Sequence, residues 1–225
     1  MLFTPQRKRK LKKIILVLIS AYVMVGAALY ALQERFIFLP SKLEQDYIYE
    51  FENVFEEVFL EAEDGSKINA LHFKTETPKG AILYFHGNAG DLSRWGEIIQ
   101  YYVNLQYDLL IMDYRTYGKS TGKLSEKALY DDAQMCYDYL MKKYDESFIT
   151  LYGRSLGTGL ATYLAANNKP KQLILETPYY SLIDVAKRRF PFFPVKKLMQ
   201  YELPNYNFIR DVNCSINILH GTVDN

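Results

Sequence analysis

Residues 153–157 read Gly-Arg-Ser-Leu-Gly, a G-x-S-x-G. A serine in this setting can act as a nucleophile, because glycines on both sides let the chain turn sharply and leave the Ser155 hydroxyl projecting from the bend. The apolar run 148–152 precedes it and an Ala- and Leu-rich stretch, 155–168, follows, which is the strand-to-helix context such a bend requires. The opening amides of that helix, the Leu156 N–H among them, lie at a positive dipole end suited to an oxyanion. A serine N-cap would also place a hydroxyl here, but a cap does not need both glycines. The second donor of an oxyanion site comes from a loop after an earlier strand. His86-Gly87-Asn88-Ala89-Gly90 follows the apolar run 81–85 and offers the Asn88 N–H first and the Ala89 N–H second. His86 ends the strand itself and reads as support rather than as a base.

Other chemistries fit less well. A phosphate-binding Walker loop needs Gly-Lys-Ser/Thr at its end, and none follows Gly153. A dinucleotide fingerprint beginning at Gly157-Thr158-Gly159 meets Thr162 where its third glycine belongs. Cys136 and Cys214 give neither a metal spacing nor a disulfide framework and read as buried thiols. No metal or cofactor is expected. The polar segment Asp113–Gly122 reads as a rigid loop supporting the site, and Asp131-Asp132 as a solvated helix face.

The elements that position these residues follow from periodicity. The stretches 54–62 and 67–74 alternate as strands around an Asp64-Gly65 turn. After Pro78, short apolar runs at 81–85, 107–113, 148–152, 172–176 and 216–220 alternate with helical stretches at 91–105, 126–144, 155–168 and 181–190. Continuous apolar runs fit strands buried on both faces of a parallel sheet, with helices on both sides and functional residues at the carboxyl ends.

The N-terminus is different in kind. Six cations lie between Arg7 and Lys13, and no charge interrupts Ile14–Leu32. A helix of that length spans about 28 Å, the thickness of a bilayer core. A signal peptide shares the basic flank, but this apolar run is long for one and lacks a small-x-small cleavage site; a buried soluble helix is the remaining alternative. Residues 1–13 are thus expected to be a cytoplasmic basic segment, 14–32 a single transmembrane helix in the lipid bilayer, 33–53 a linker with 36–40 along the interface, and 54–225 the globular domain across the membrane. The whole chain has a net charge of +1, whereas residues 14–225 carry −5, and an acidic body does not suit a nucleic-acid partner.

The segments FHGNAGDLSRW, DYRTYGKSTG, YGRSLGTG, ETPYYSL and ILHGTVDN, taken in order with the apolar N-terminus, resemble the membrane-anchored branch of the α/β-hydrolase superfamily, related to serine aminopeptidases and protein-depalmitoylating hydrolases. The resemblance implies an α/β fold with a mostly parallel sheet and helices on both faces. It implies Ser155 as nucleophile, Asp224 as triad acid, and a histidine on a loop after one further strand. Thr116 departs from the pattern, standing where that branch usually has glycine. The histidine departs further: His72, His86 and His220 all precede Asp224, so the expectation is a truncated chain with its last strand, last helix and base missing. Glu176 is an alternative acid. Phe190, Phe192, Phe193 and Leu198 fall where these hydrolases insert a cap, and are expected to wall an acyl-chain site. The implied activity is cleavage of an ester, a thioester or a lipid-like acyl substrate, weak or absent in this form. A non-catalytic scaffold and a serine peptidase are the alternatives.

Overall fold

The computed structural model describes residues 5–221. Helix α1 (Pro5–Ile37) leads into the short strand β1 (Leu39–Pro40). Strands β2 (Phe55–Glu61) and β3 (Lys67–Phe73) form an antiparallel hairpin. Then come β4 (Ala81–Phe85), the short β5 (Ala89–Gly90), α2 (Leu92–Asn104), β6 (Asp108–Met112), α3 (Glu126–Met141), β7 (Ile149–Arg154), α4 (Gly157–Asn167) and β8 (Gln172–Glu176). The short helices α5 (Leu182–Arg189), α6 (Val195–Leu198) and α7 (Asn205–Phe208) precede β9 (Ser215–Leu219).

Seven strands form one sheet in the order β2-β3-β6-β4-β7-β8-β9, antiparallel across β2-β3-β6 and parallel from there on. The central strands show why continuous apolar runs were needed. In β4, Ala81, Leu83 and Phe85 enter the core shared with α3 and α4, while Ile82 and Tyr84 enter the core shared with α2. Side chains alternate between faces, so both registers must be apolar. Serine and aspartate caps start three of the helices: Asp91 accepts from the Ser93 amide, Ser125 from Ala128 and Ser181 from Asp184.

Three expectations change. Helix α1 is one continuous rod of 33 residues that passes through both ends of 14–32. Phe38 does not lie along an interface: it is buried edge-on against Tyr201, and Leu39–Pro40 pair with Ala89–Gly90, so the segment is stitched to the loop after β4. Asp132 is not solvated, being fully buried and 2.7 Å from Arg115 Nε. Strand β9 forms where expected, yet its residues are exposed among the described residues, with Ile218 at 61%. Among the described residues it pairs on one side only, with β8.

Candidate active site

Ser155 follows the last residue of β7 and adopts a left-handed backbone, φ 48°, a region that costs a non-glycine residue roughly 1–3 kcal/mol. Its neighbours make the bend possible. A Cβ on Gly153 would lie 2.6 Å from the Gly157 carbonyl oxygen, and one on Gly157 would collide with the backbone of Phe85. Close approach of β4, β7 and α4 therefore demands glycine at both positions. The Ser155 amide donates to the Glu176 carbonyl (2.9 Å), and the Ser155 carbonyl accepts from the Thr158 amide (3.0 Å) and hydroxyl (2.7 Å). With its backbone held on both sides, the residue presents an exposed side chain at the carboxyl end of the sheet.

The loop after β4 closes over this bend. A Cβ built on Gly87 would be 3.9 Å from the Ser155 Cβ. The Asn88 carbonyl accepts from the Leu39 amide (2.8 Å) and the Tyr117 hydroxyl (2.7 Å), and its side-chain amide donates to the Ile37 carbonyl (3.2 Å). Those bonds use every polar group of Asn88 except its backbone N–H and its side-chain oxygen. Among the described residues, neither the Asn88 nor the Leu156 amide donates to a protein acceptor, and both residues border the cavity that holds Ser155.

His86 lies beneath, fully buried. Its Nδ1 is 2.6 Å from the Gly87 carbonyl, its Nε2 faces Asp113 Oδ1 at 3.4 Å, and its own carbonyl accepts from the Tyr114 hydroxyl (2.6 Å). Burial pushes the Asp113 carboxyl above the usual range, opposed by the hydrogen bond and charge of His86. Asp113 also accepts from the Leu92 amide (3.2 Å), so the pair joins β4, β6 and the start of α2. Thr116, in the same polar segment, has φ 74°, the left-handed geometry that glycine adopts freely.

The other titratable candidates are engaged or distant. His72 is buried, with Nδ1 3.1 Å from the Tyr139 hydroxyl and Nε2 3.3 Å from that of Tyr144. Glu176 takes the Tyr152 hydroxyl (2.9 Å) and faces Arg154 Nε (3.3 Å). His220 is exposed and follows the register row Arg154, Glu176, Leu219, two strand spacings or about 9–10 Å from Ser155 at the level of the sheet. Asp224 lies outside the described residues. No three His, Cys, Asp or Glu side chains converge into a metal site among the described residues.

Above Ser155 is a cavity of about 420 Å³, a volume typical of small-ligand sites. Phe190, Phe193 and Leu198 line it as expected from the sequence, together with Val185 and Ala186 of α5. Phe192 does not: it points outward and is 85% exposed. The unexpected wall is α1, which contributes Leu29, Gln33, Phe36 and Ile37. Gln33 is nearly buried, donating to the Leu198 carbonyl (3.1 Å) and accepting from the Gln200 amide (2.7 Å). The signal was present in the stripe Tyr22, Gly26, Leu29, Gln33 and Phe36, whose spacings of three and four place them on one helix face.

The family profile described as serine aminopeptidase, S33, matches residues 76–213. The chain belongs to that hydrolase family, within the α/β-hydrolase superfamily. An uncharacterized protein of Mycobacterium tuberculosis is 30% identical to this hydrolase over 92% of the chain and 76% of its own length. Lysophosphatidylserine lipase ABHD12 of Gallus gallus is 33% identical over 64% of the chain, which spans only 43% of that lipase. Among solved structures, an esterase from Pyrococcus furiosus superposes with a TM-score of 0.60 at 17% identity, covering 81% of this hydrolase and 76% of the esterase. That likeness establishes the shared fold. The hydrolase thus has a lipase among its sequence relatives and shares its fold with an esterase, and its α1 is long and apolar enough to cross a membrane.

Proposed function

We propose that the protein is a membrane-anchored serine hydrolase that cleaves a carboxylic ester or thioester of an acyl chain through an acyl-serine intermediate. The observation that carries this reading is the setting of Ser155: a hydroxyl on a left-handed bend, on the floor of an apolar cavity, beside the unengaged amides of Leu156 and Asn88. Ser155 Oγ attacks the acyl carbon and gives its proton to an imidazole base, a place that none of His72, His86 and His220 fills among the described residues. The carbonyl oxygen, now negative, lies between the two amides. Each such donor is worth about 3 kcal/mol in the transition state. Collapse expels the alcohol or thiol with the proton, and water then releases the acid from Ser155. Asp224 would orient the base. The lipase relative supports an ester substrate, and the mostly apolar cavity lining supports an acyl chain. In this reading α1 anchors the chain with its basic end in the cytoplasm and the hydrolase domain on the opposite side.

A fluorophosphonate probe is expected to label the reconstituted protein at Ser155 when imidazole is supplied as an external base. It should leave Ser155→Ala unlabelled, and labelling that survives this substitution would refute the assignment. A second reading, a non-catalytic binding or scaffold protein at the membrane, is favoured by one observation: His72 and His86 are held by other partners and His220 lies two strands away. Ser155-dependent turnover of a p-nitrophenyl ester without added base counts against it. A peptidase would use the same atoms and separates by trial of amide against ester substrates.

A further inference from the structure

The cap segment Phe190-Pro191-Phe192-Phe193-Pro194-Val195 carries no charge, and cations stand on both sides of it: Lys187, Arg188 and Arg189 before, Lys196 and Lys197 after. Phe192 is almost fully exposed, and Val185 of the adjoining helix is half exposed. An exposed aromatic tip leaves its apolar ring in contact with water, where it gains nothing from burial. Inside a collar of cations it suits a bilayer, where aromatic and aliphatic side chains enter the hydrocarbon and lysine and arginine heads stay among anionic headgroups.

The segment lies along α1. The Phe193 ring stacks on Tyr22 at 4.8 Å and covers Gly26, while Phe190 faces Phe36 at 6.5 Å. Tyr22 is close to the middle of the uncharged run Ile14–Leu32. From Gln33, where the cap is tied at Leu198, down to Tyr22, the helix descends about 16 Å, half of a ~30 Å hydrocarbon core. Whatever depth α1 has, the tip of the cap shares it.

We propose that Phe190–Val195 is a second membrane-inserted element, docked on α1 within one leaflet, so that the cavity over Ser155 opens into hydrocarbon and receives its acyl chain sideways from the bilayer. The proposal rests on the reading of α1 as a membrane-crossing helix. Irregular backbone survives in lipid only when its polar groups find partners within the protein, and most of this segment's do; among the described residues the Phe192 amide and the Pro191 carbonyl, at the tip, have none. Pro191 and Pro194 have no N–H to satisfy. The amides of Phe190, Phe193 and Val195 donate to the carbonyls of Ala186 (2.8 Å), Phe190 (3.2 Å) and Phe193 (2.8 Å). The Phe192 carbonyl accepts from the Tyr22 hydroxyl at 2.8 Å, a polar pairing at mid-span between the two elements.

The test uses the full chain in phosphatidylcholine–phosphatidylglycerol vesicles. Phe192→Trp places a reporter at the tip; the side chain there is exposed, so packing is kept, and the single native Trp95, nearly buried, supplies a constant baseline. Leu18→Trp, at an exposed position of α1, reports on the helix alone. With lipids brominated near the middle of their acyl chains, the added tryptophan of both variants is expected to lose most of its fluorescence, with a blue-shifted maximum and no response to aqueous iodide. If Leu18→Trp is quenched by bromolipid while Phe192→Trp responds only to iodide, the insertion is overturned and the anchor stands. If Leu18→Trp also escapes bromolipid, the anchor reading and the insertion fall together.

Discussion

The Arg115 guanidinium and the Asp132 carboxylate meet at 2.7 and 2.9 Å in the protein interior and fasten the loop after β6 to α3. Asp64 approaches the same guanidinium from the hairpin turn, which holds its carboxyl down at about 2. One buried cation thus joins three segments. Arg115→Leu leaves Asp132 buried without a partner and is expected to destabilise the fold by about 3–5 kcal/mol. Denaturant titration in detergent, compared with wild type, measures it; a loss under 1 kcal/mol would show that water reaches Asp132.

Thr116 holds a left-handed backbone in the same loop. Thr116→Gly removes the clash of a β-branched side chain at positive φ and gives back some unfolded-chain entropy, for a net gain of about 1 kcal/mol. The melting temperature of the variant should rise. A fall would mean that the threonine side chain makes compensating contacts.

At the bend itself, Gly157→Ala forces a methyl group against the Phe85 carbonyl. Backbone cannot yield as a side chain can, so a loss of about 2–3 kcal/mol is expected. Because the strain falls between β4 and α4, fluorophosphonate labelling of Ser155 should fall more steeply than stability. Parallel thermal melts and labelling time courses separate the two.

His72 is buried neutral among tyrosines, and burial depresses its pKa to about 4, with Lys74 adding to the effect. In the unfolded chain a histidine titrates near 6.5, so between these values the unfolded state binds the extra proton. The stability present above pH ~6.5 is therefore lost as pH falls towards ~4, at up to about 1.4 kcal/mol per unit and about 3 kcal/mol in all. Urea midpoints across this window should fall less steeply in His72→Gln. Identical slopes would remove His72 from the acid limb.

Gly26 distinguishes contact from mere tolerance. An ideal Cβ there lies 3.7 Å from the Phe193 ring, an ordinary contact, so Gly26→Ala should be accepted, whereas Gly26→Leu must displace the ring and loosen the cap. Limited proteolysis in detergent is expected to nick 190–194 in the leucine variant only. Equal resistance in both would show that the cap is held without α1.

The local pattern determined most of the scaffold. The strands 81–85 and 172–176 form at the boundaries read from the sequence, because residues that must be apolar on both faces leave a continuous signal. The bend at Ser155 was legible for a related reason: Gly153 and Gly157 are forced by backbone contacts that no other residue can make. Other features depended on where the chain returns. Asp132 lies on the helix face of Leu129, Cys136 and Leu140 while Asp131 does not, but that this face would hold a charged aspartate depends on the arrival of Arg115 from the loop after β6. The apolar run at 14–32 announced a helix suited to lipid, yet that Gln33 would bond residues 198 and 200 belongs to contacts more than 160 positions apart. Composition and period report what a residue needs from its surroundings. Which distant segment meets that need is decided by sheet order and helix packing, and here those bring the N-terminal helix to the wall of the Ser155 cavity.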